Sequence, residues 1–232
     1  GMYAPASTFK SISVVAAAAA GYNMNASYKC PSSVQIGNRE FKNFETKNQG
    51  TINMQTAIAV SCDTIWYQIA YDEWVRDGGL RPKSNPNDYF FNAARSFNLG
   101  KKTGIDLPDE ASGRLPDRQW KNEFYKQNKD FYCNFQNRAK KSDLTPYLIA
   151  IAKENCTDGY IIRAGDAVNF SIGQGDTLVT PIQLAVAYSA IANGGTLWQP
   201  WIARAVVSPT GKVIKEFAPE KLGKTEQTPS DT

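Results

Sequence analysis

From Ile12 to Ala20 the chain reads ISVVAAAAA, small or apolar on every side, and Gly21 then stops it. With Pro5 just ahead, the stretch from Pro5 to Ala20 predicts one helix. A helix apolar all round leaves no face for water, so the rest of the chain has to enclose it. The 232 residues, 42% hydrophobic, suffice for that in one domain that can divide into two lobes. The longest apolar run, Val14 to Ala20, is too short to cross a bilayer, and no signal peptide or anchor lies in this stretch. Such a segment can still lie upstream if the chain is a piece of something longer.

Composition excludes several chemistries. The net charge is +4 with 21% charged residues, and no Lys/Arg run exceeds two, so there is no electrostatic footprint for nucleic acid. Histidine is absent. A Ser-His-Asp triad, a Cys-His dyad and a His-ligated metal site are therefore impossible within this chain. A serine nucleophile here must take lysine or a carboxylate as its base. The four cysteines, Cys30, Cys62, Cys133 and Cys156, form no C-x-x-C pair. Disulfides in an oxidising compartment and four buried thiols both fit them.

Further along, residues 22–50 are polar and predict loops with short extended pieces. TINMQTAIAV (51–60) has helical spacing, SCD interrupts it, and TIWYQIAYDEWVRDGG (64–79) resumes it. NPNDYFFNAARSFNLG (85–100) and DLTPYLIAIAKEN (143–155) predict two more helices. TPIQLAVAYSAIANGG (180–195) is a helix with Thr180 as cap, Pro181 at its first position and Asn193-Gly194-Gly195 as its end. Residues 201–217 read as a hairpin turning at Pro209-Thr210-Gly211, and the tail from Glu220 reads as polar and frayed. Gly173-Gln174-Gly175 lacks the third glycine of a dinucleotide loop, and no P-loop is present. Three Asn-x-Ser/Thr sequons occur, a match common by chance.

Ser7 and Lys10 stand three residues apart at the start of the apolar helix, a spacing that puts both side chains on one face. The helix N-terminus would stabilise a developing oxyanion on a substrate attacked by Ser7. A lysine whose pKa is lowered by burial can act as the general base. A serine in this place is more often only a cap.

The surroundings favour the chemical reading. YAPASTFK closely resembles the active-site segment of penicillin-binding proteins, Y-x-P-G-S-T-x-K. Ser61-Cys62-Asp63 in AVSCDTIWYQIA resembles their second motif, a turn between two helices. NLGKKTGIDLPDEASGRLPDRQWK (98–121) and GDAVNFSIGQGDTLVTPIQLAVAYSAIANGGTLWQP (165–200) follow in the family's order. The S-x-D form is similar to the elongation-type class B enzymes. The resemblance implies an α/β penicillin-recognising serine transpeptidase fold, here mostly its helical lobe with an incomplete central sheet. It implies a D,D-transpeptidase at the outer face of the bacterial cytoplasmic membrane, anchored outside this chain, with no cofactor. Its partners would be stem peptides ending in D-Ala-D-Ala, β-lactam antibiotics and proteins of the elongation machinery. Ser7 would be acylated, Lys10 would deprotonate it, Ser61 would relay protons, Asp63 would hold Lys10 or the substrate amide, and Cys62 would lie at the substrate.

Three departures stand out. Ala6 replaces the glycine usual before the serine. Residues 122–163 interrupt the pattern and read as an insertion with Cys133–Cys156 as a possible disulfide. The third motif, K-[ST]-G, is absent from residues 176–232; Lys102-Thr103-Gly104 matches it literally but in a block that serves structure, and GKTE (223–226) lacks the glycine. With only six residues before Ser7, the chain reads as an internal fragment, 1–232, without the upstream region and the third-motif strand. Two other readings remain: a non-catalytic β-lactam sensor or scaffold, and a serine β-lactamase, against which the missing E-x-x-L-N argues.

Overall fold

The computed structural model describes residues 1–225. A 3-10 turn, Ala6–Phe9, leads into α1 (Lys10–Ala19). The helix stops where Gly21 adopts φ 85°: the N–H groups of Gly21 and Tyr22 bond back to the carbonyls of Ala18 and Ala17. Phe9, Ile12, Ala16 and Ala17 are fully buried, as an all-apolar helix requires. Burying Phe9 and Ile12 contributes roughly 1.5–3 kcal/mol each.

The polar segment after α1 is more ordered than its composition suggests. It forms β1 (Ser27–Cys30), β2 (Ser33–Ile36), β3 (Arg39–Lys42) and β4 (Gly50–Asn53), with β1 paired to β4 and β2 to β3, both antiparallel. Thr51 to Asn53, expected in a helix, are therefore strand. The helix α2 (Met54–Ala59) begins after Asn53, whose side chain accepts from the Thr56 N–H. Then come α3 (Asp63–Arg76) and α4 (Tyr89–Ser96), which starts four residues later than the expected 85 because Asp88 is left-handed, φ 48°.

The region 122–163 folds as helices: α5 (Arg118–Cys133), α6 (Phe135–Arg138) and α7 (Pro146–Asp158), capped by Thr145. Next come α8 (Ala164–Ser171) and α9 (Pro181–Ala192), the latter with a Thr180/Gln183 capping box. The chain closes with β5 (Thr196–Trp198), the hairpin β6 (Ala205–Val207) and β7 (Val213–Glu216), and β8 (Lys221–Lys224). The tail is not frayed up to residue 225, because β8 pairs with β5; the remainder of the tail and the last residue of GKTE lie outside the described residues. Among the described residues the strands pair two by two and build no wider sheet. All four cysteines are in disulfides, Cys30–Cys62 and Cys133–Cys156, so the free-thiol alternative does not hold.

One core encloses α1. α4 packs along it, α3 meets it where Lys10 pairs with Asp63, and α8 packs on α3. Phe170 on α8 joins them, with its ring 5.0 Å from Phe9 and 4.4 Å from Phe91. No described helix is long and apolar enough to cross a membrane.

Candidate active site

The turn carrying Ser7 is held from two sides. The Ala6 N–H donates to the Gly173 carbonyl at 3.0 Å, and the Thr8 hydroxyl donates to the Pro5 carbonyl at 2.6 Å. Ala6 sits at φ 50°, the left-handed region, at a cost of roughly 1–2 kcal/mol for a residue with a Cβ. The site is thus built although alanine stands where glycine would be unstrained. Ser7 is exposed, and it is the second residue of the turn, so its N–H is among those without an intrahelical partner.

Ser61 reaches Ser7 from the end of α2. The Ser61 and Cys62 N–H groups bond back to the carbonyls of Ile58 and Ala57, closing the helix with Ser61 at the left-handed position, φ 54°. That stop aims the Ser61 side chain out of the helix. Its hydroxyl donates to Ser7 Oγ at 2.9 Å. One turn into the helical segment, Lys10 is 2% exposed, and its Nζ donates to Ser61 Oγ at 2.9 Å and to the Ser61 carbonyl at 2.8 Å. It also pairs with Asp63 Oδ1 at 2.5 Å. Burial lowers the Lys10 pKa from its ordinary value, and Asp63 offsets part of this through its hydrogen bond and its charge.

The four residues singled out by the motifs therefore meet. The link from Lys10 to Ser7 runs through Ser61. A proton leaving Ser7 has a path of two hydrogen bonds to the lysine nitrogen, once that nitrogen is neutral. Cys62 borders a cavity beside Ser7, but it is only 2% exposed and its sulfur is bonded to Cys30, so it has no free thiol. That cavity, partly open to solvent, is bordered by Ser7, Ser61, Val60, Phe44, Glu45 and Gln49.

Lys102-Thr103-Gly104 lies in a loop held by Glu110. The Thr103 N–H and hydroxyl each donate to Glu110 Oε1 at 2.6 Å, and the Gly104 N–H donates to Oε2 at 2.9 Å. Thr103 is 1% exposed, so the tripeptide is committed to the fold. Among the described residues no group of three or more Cys, Asp or Glu could hold a metal ion.

Two residues around the site carried no motif signal. Gly173, at φ 68°, lies against the Ser7 turn so closely that a Cβ there would sit 2.6 Å from the Ala6 carbonyl oxygen and from Phe9 Cβ. Its place in SIGQG was visible, but its contact was not. Asn43 is buried beside Asp63 from a loop twenty residues upstream, and nothing local in FKNFE signals that.

The model of the penicillin-binding protein transpeptidase domain matches residues 1–231. The chain is 28% identical over 224 residues to the peptidoglycan D,D-transpeptidase MrdA of Escherichia coli strain K12, covering 95% of this chain and 28% of MrdA. A chain of a peptidoglycan synthase complex, solved for its coordination of polymerization and crosslinking, superposes with TM-score 0.65 and 25% identity, over 96% of this chain and 30% of that one. The penicillin-binding protein PBP2 of Helicobacter pylori, in complex with MreC, gives TM-score 0.63 and 23% identity, over 87% of this chain and 29% of that one. The chain thus spans less than a third of the length of each of these relatives. With the family's sequence matched almost end to end and its fold shared, the chain belongs to the penicillin-binding protein transpeptidase domain family.

Proposed function

We infer that this chain is the nucleophile-bearing part of a peptidoglycan D,D-transpeptidase, and that β-lactams acylate it. The observation that carries the reading is the hydrogen-bonded series Ser7–Ser61–Lys10–Asp63, with the nucleophile exposed and the base buried. Ser7 Oγ would attack the carbonyl carbon of the penultimate D-alanine of a stem peptide. Its proton would pass to Ser61, whose own proton moves to neutral Lys10 Nζ. Collapse of the tetrahedral intermediate would break the peptide C–N bond, and the reverse relay would protonate the departing D-alanine amine. An amine from a second stem peptide would then attack the ester, lose its proton along the same path and free Ser7. The N–H of Ser7 would supply one oxyanion donor. A β-lactam carbonyl would enter the same sequence and stop at the acyl stage.

The rest of the machinery is proposed to lie on sequence beyond this chain: the K-[ST]-G strand that binds the substrate carboxylate, a membrane anchor, and surfaces for elongation proteins of the kind represented by MreC. Residues 122–163 are read as an insertion without a catalytic role. On this reading the parent protein works at the outer face of the cytoplasmic membrane.

The test is intact-mass spectrometry after incubation with a penicillin, on the unaltered chain and on Ser7→Ala. A gain of one drug mass, absent in Ser7→Ala, is the expected result. A gain that persists in Ser7→Ala would move the nucleophile elsewhere. No gain in a folded chain that includes the downstream strand would sink the acylation reading.

A further inference from the structure

Asn43, in the loop between β3 and β4, plays no part in the proton path, yet it is 6% exposed and its side chain is fully engaged. Oδ1 accepts from the N–H groups of Asp63 at 2.8 Å and Thr64 at 3.0 Å, the first two residues of α3. Cys62, the residue at the cap position of α3, makes no side-chain capping bond. Asn43 thus caps the helix from another strand pair and satisfies two donors that α3 cannot. Its Nδ2 donates to the Pro31 carbonyl at 2.8 Å, and its own N–H donates to the Ser32 carbonyl at 3.0 Å, so the loop is fixed from behind. The next N–H, that of Phe44, donates to Asp63 Oδ2 at 3.1 Å. The two oxygens of Asp63 are therefore divided, Oδ2 to this loop and Oδ1 to Lys10.

We propose that Asn43 is a positioning residue for the acylation chemistry, fixing the Asp63 carboxylate, and through it Lys10, by capping α3 and presenting the Phe44 N–H. The consequence for catalysis rests on the function proposed above; the consequence for Lys10 does not. A cap that served only stability would lower the unfolding temperature and leave Lys10 as it was. A positioning cap changes the lysine, because Asp63 raises the Lys10 pKa against the effect of burial. The other titratable groups near the pair are Tyr67, one turn along α3, and Glu45, at the cavity rim. α4, also packed on α1, carries Tyr89 and Arg95, and Arg95 is paired with Asp117.

The experiment follows the Lys10 side-chain nitrogen by NMR against pH in the unaltered chain, in Asn43→Ala and in Phe44→Pro. Phe44→Pro removes the N–H to Asp63 while Asn43 keeps its capping side chain, at a residue that is 96% exposed. Both variants are expected to lower the Lys10 midpoint by about 0.5 unit or more, roughly threefold in its acid constant. In Asn43→Ala the Asp63 and Thr64 amides should also exchange faster. An unchanged midpoint in folded variants overturns the proposal, and if Asn43→Ala does not fold, Phe44→Pro alone decides. Penicillin acylation is measured in parallel. If the unaltered chain is acylated, the variants should lose about tenfold in the acylation rate on the high-pH plateau, where Lys10 is neutral in every form, with drug binding retained. A moved midpoint with an unmoved plateau rate overturns the catalytic half. If the unaltered chain is not acylated, the functional reading fails while the Lys10 titration still decides the role of Asn43.

Discussion

At the level of single residues the site depends on two backbone positions that alanine and serine occupy at a cost. Ala6 and Ser61 both have positive φ, and each is held by hydrogen bonds to neighbouring carbonyls. For Ser61 the conformation is what a helix end requires, and it is also what aims the hydroxyl at Ser7. The Lys10 pKa sets a testable pH dependence. Only neutral lysine can take the proton, so acylation should rise with pH toward the Lys10 pKa. Burial lowers that pKa and Asp63 raises it. Removing the Asp63 charge therefore leaves burial less opposed, and Asp63→Asn should move the rising limb to lower pH. Lys10→Ala should reduce the acylation rate by about 10²–10⁴-fold on the high-pH plateau, with the gap narrowing as pH falls below the Lys10 pKa. A limb that stays or moves upward in Asp63→Asn, measured with a chromogenic β-lactam, would remove Lys10 from the role of base.

At the level of elements, the helices were legible wherever sequence carries caps and stops. Thr180 with Pro181 and Gly21 act as read, while the helix expected from 143 begins at Pro146 behind Thr145. The strands were less so. TIN at 51–53 is too short to separate strand from helix by period, and β8 is made of polar residues whose contribution is their backbone pairing with β5. Ser7 and Lys10 were visible by spacing, and Ser61 and Asp63 through the resemblance to penicillin-binding proteins, whereas Asn43 and Gly173 act through contacts that only the fold creates. Gly173 gives an element-scale prediction. Gly173→Ala would force its Cβ against the Ser7 turn from φ 68°, adding overpacking of roughly 1–3 kcal/mol to the conformational cost. Gly175 has a similar φ, 72°, but its nearest neighbour to a Cβ is Asn169 Cβ at 3.4 Å. Gly173→Ala should therefore lose more thermal stability than Gly175→Ala, and should alone slow acylation. Equal losses in both would mean that the contact with the Ser7 turn does not matter.

Over the whole molecule the two disulfides do different things. Cys30–Cys62 joins β1 to the start of α3, inside the core and within the second motif. Cys133–Cys156 joins α5 to α7, a helix pair that buries little: α5 has no buried residue and α7 only Ala152. Around it Trp120 stacks on Phe124 within α5, Tyr125 of α5 meets Tyr160 just past α7 and donates to the Cys156 carbonyl, and the ion pairs Lys121–Asp166 and Arg163–Glu154 form where the pair meets the main body. With so little apolar cover, its order should depend on the crosslink, which spans 23 residues. For a loop of that size the constraint is worth about 3 kcal/mol. Replacing Cys133 and Cys156 by serine should raise amide exchange across α5 and α7 as a local opening, with exchange in α1 and α3 unchanged. Acylation at Ser7 should also be unchanged. Replacing Cys30 and Cys62 by serine should do the reverse, loosening the start of α3 and slowing acylation while α5 and α7 keep their protection. If loss of Cys133–Cys156 slowed acylation as much as loss of Cys30–Cys62, the helix pair would be coupled to the site, and its reading as a catalytically silent insertion would fall.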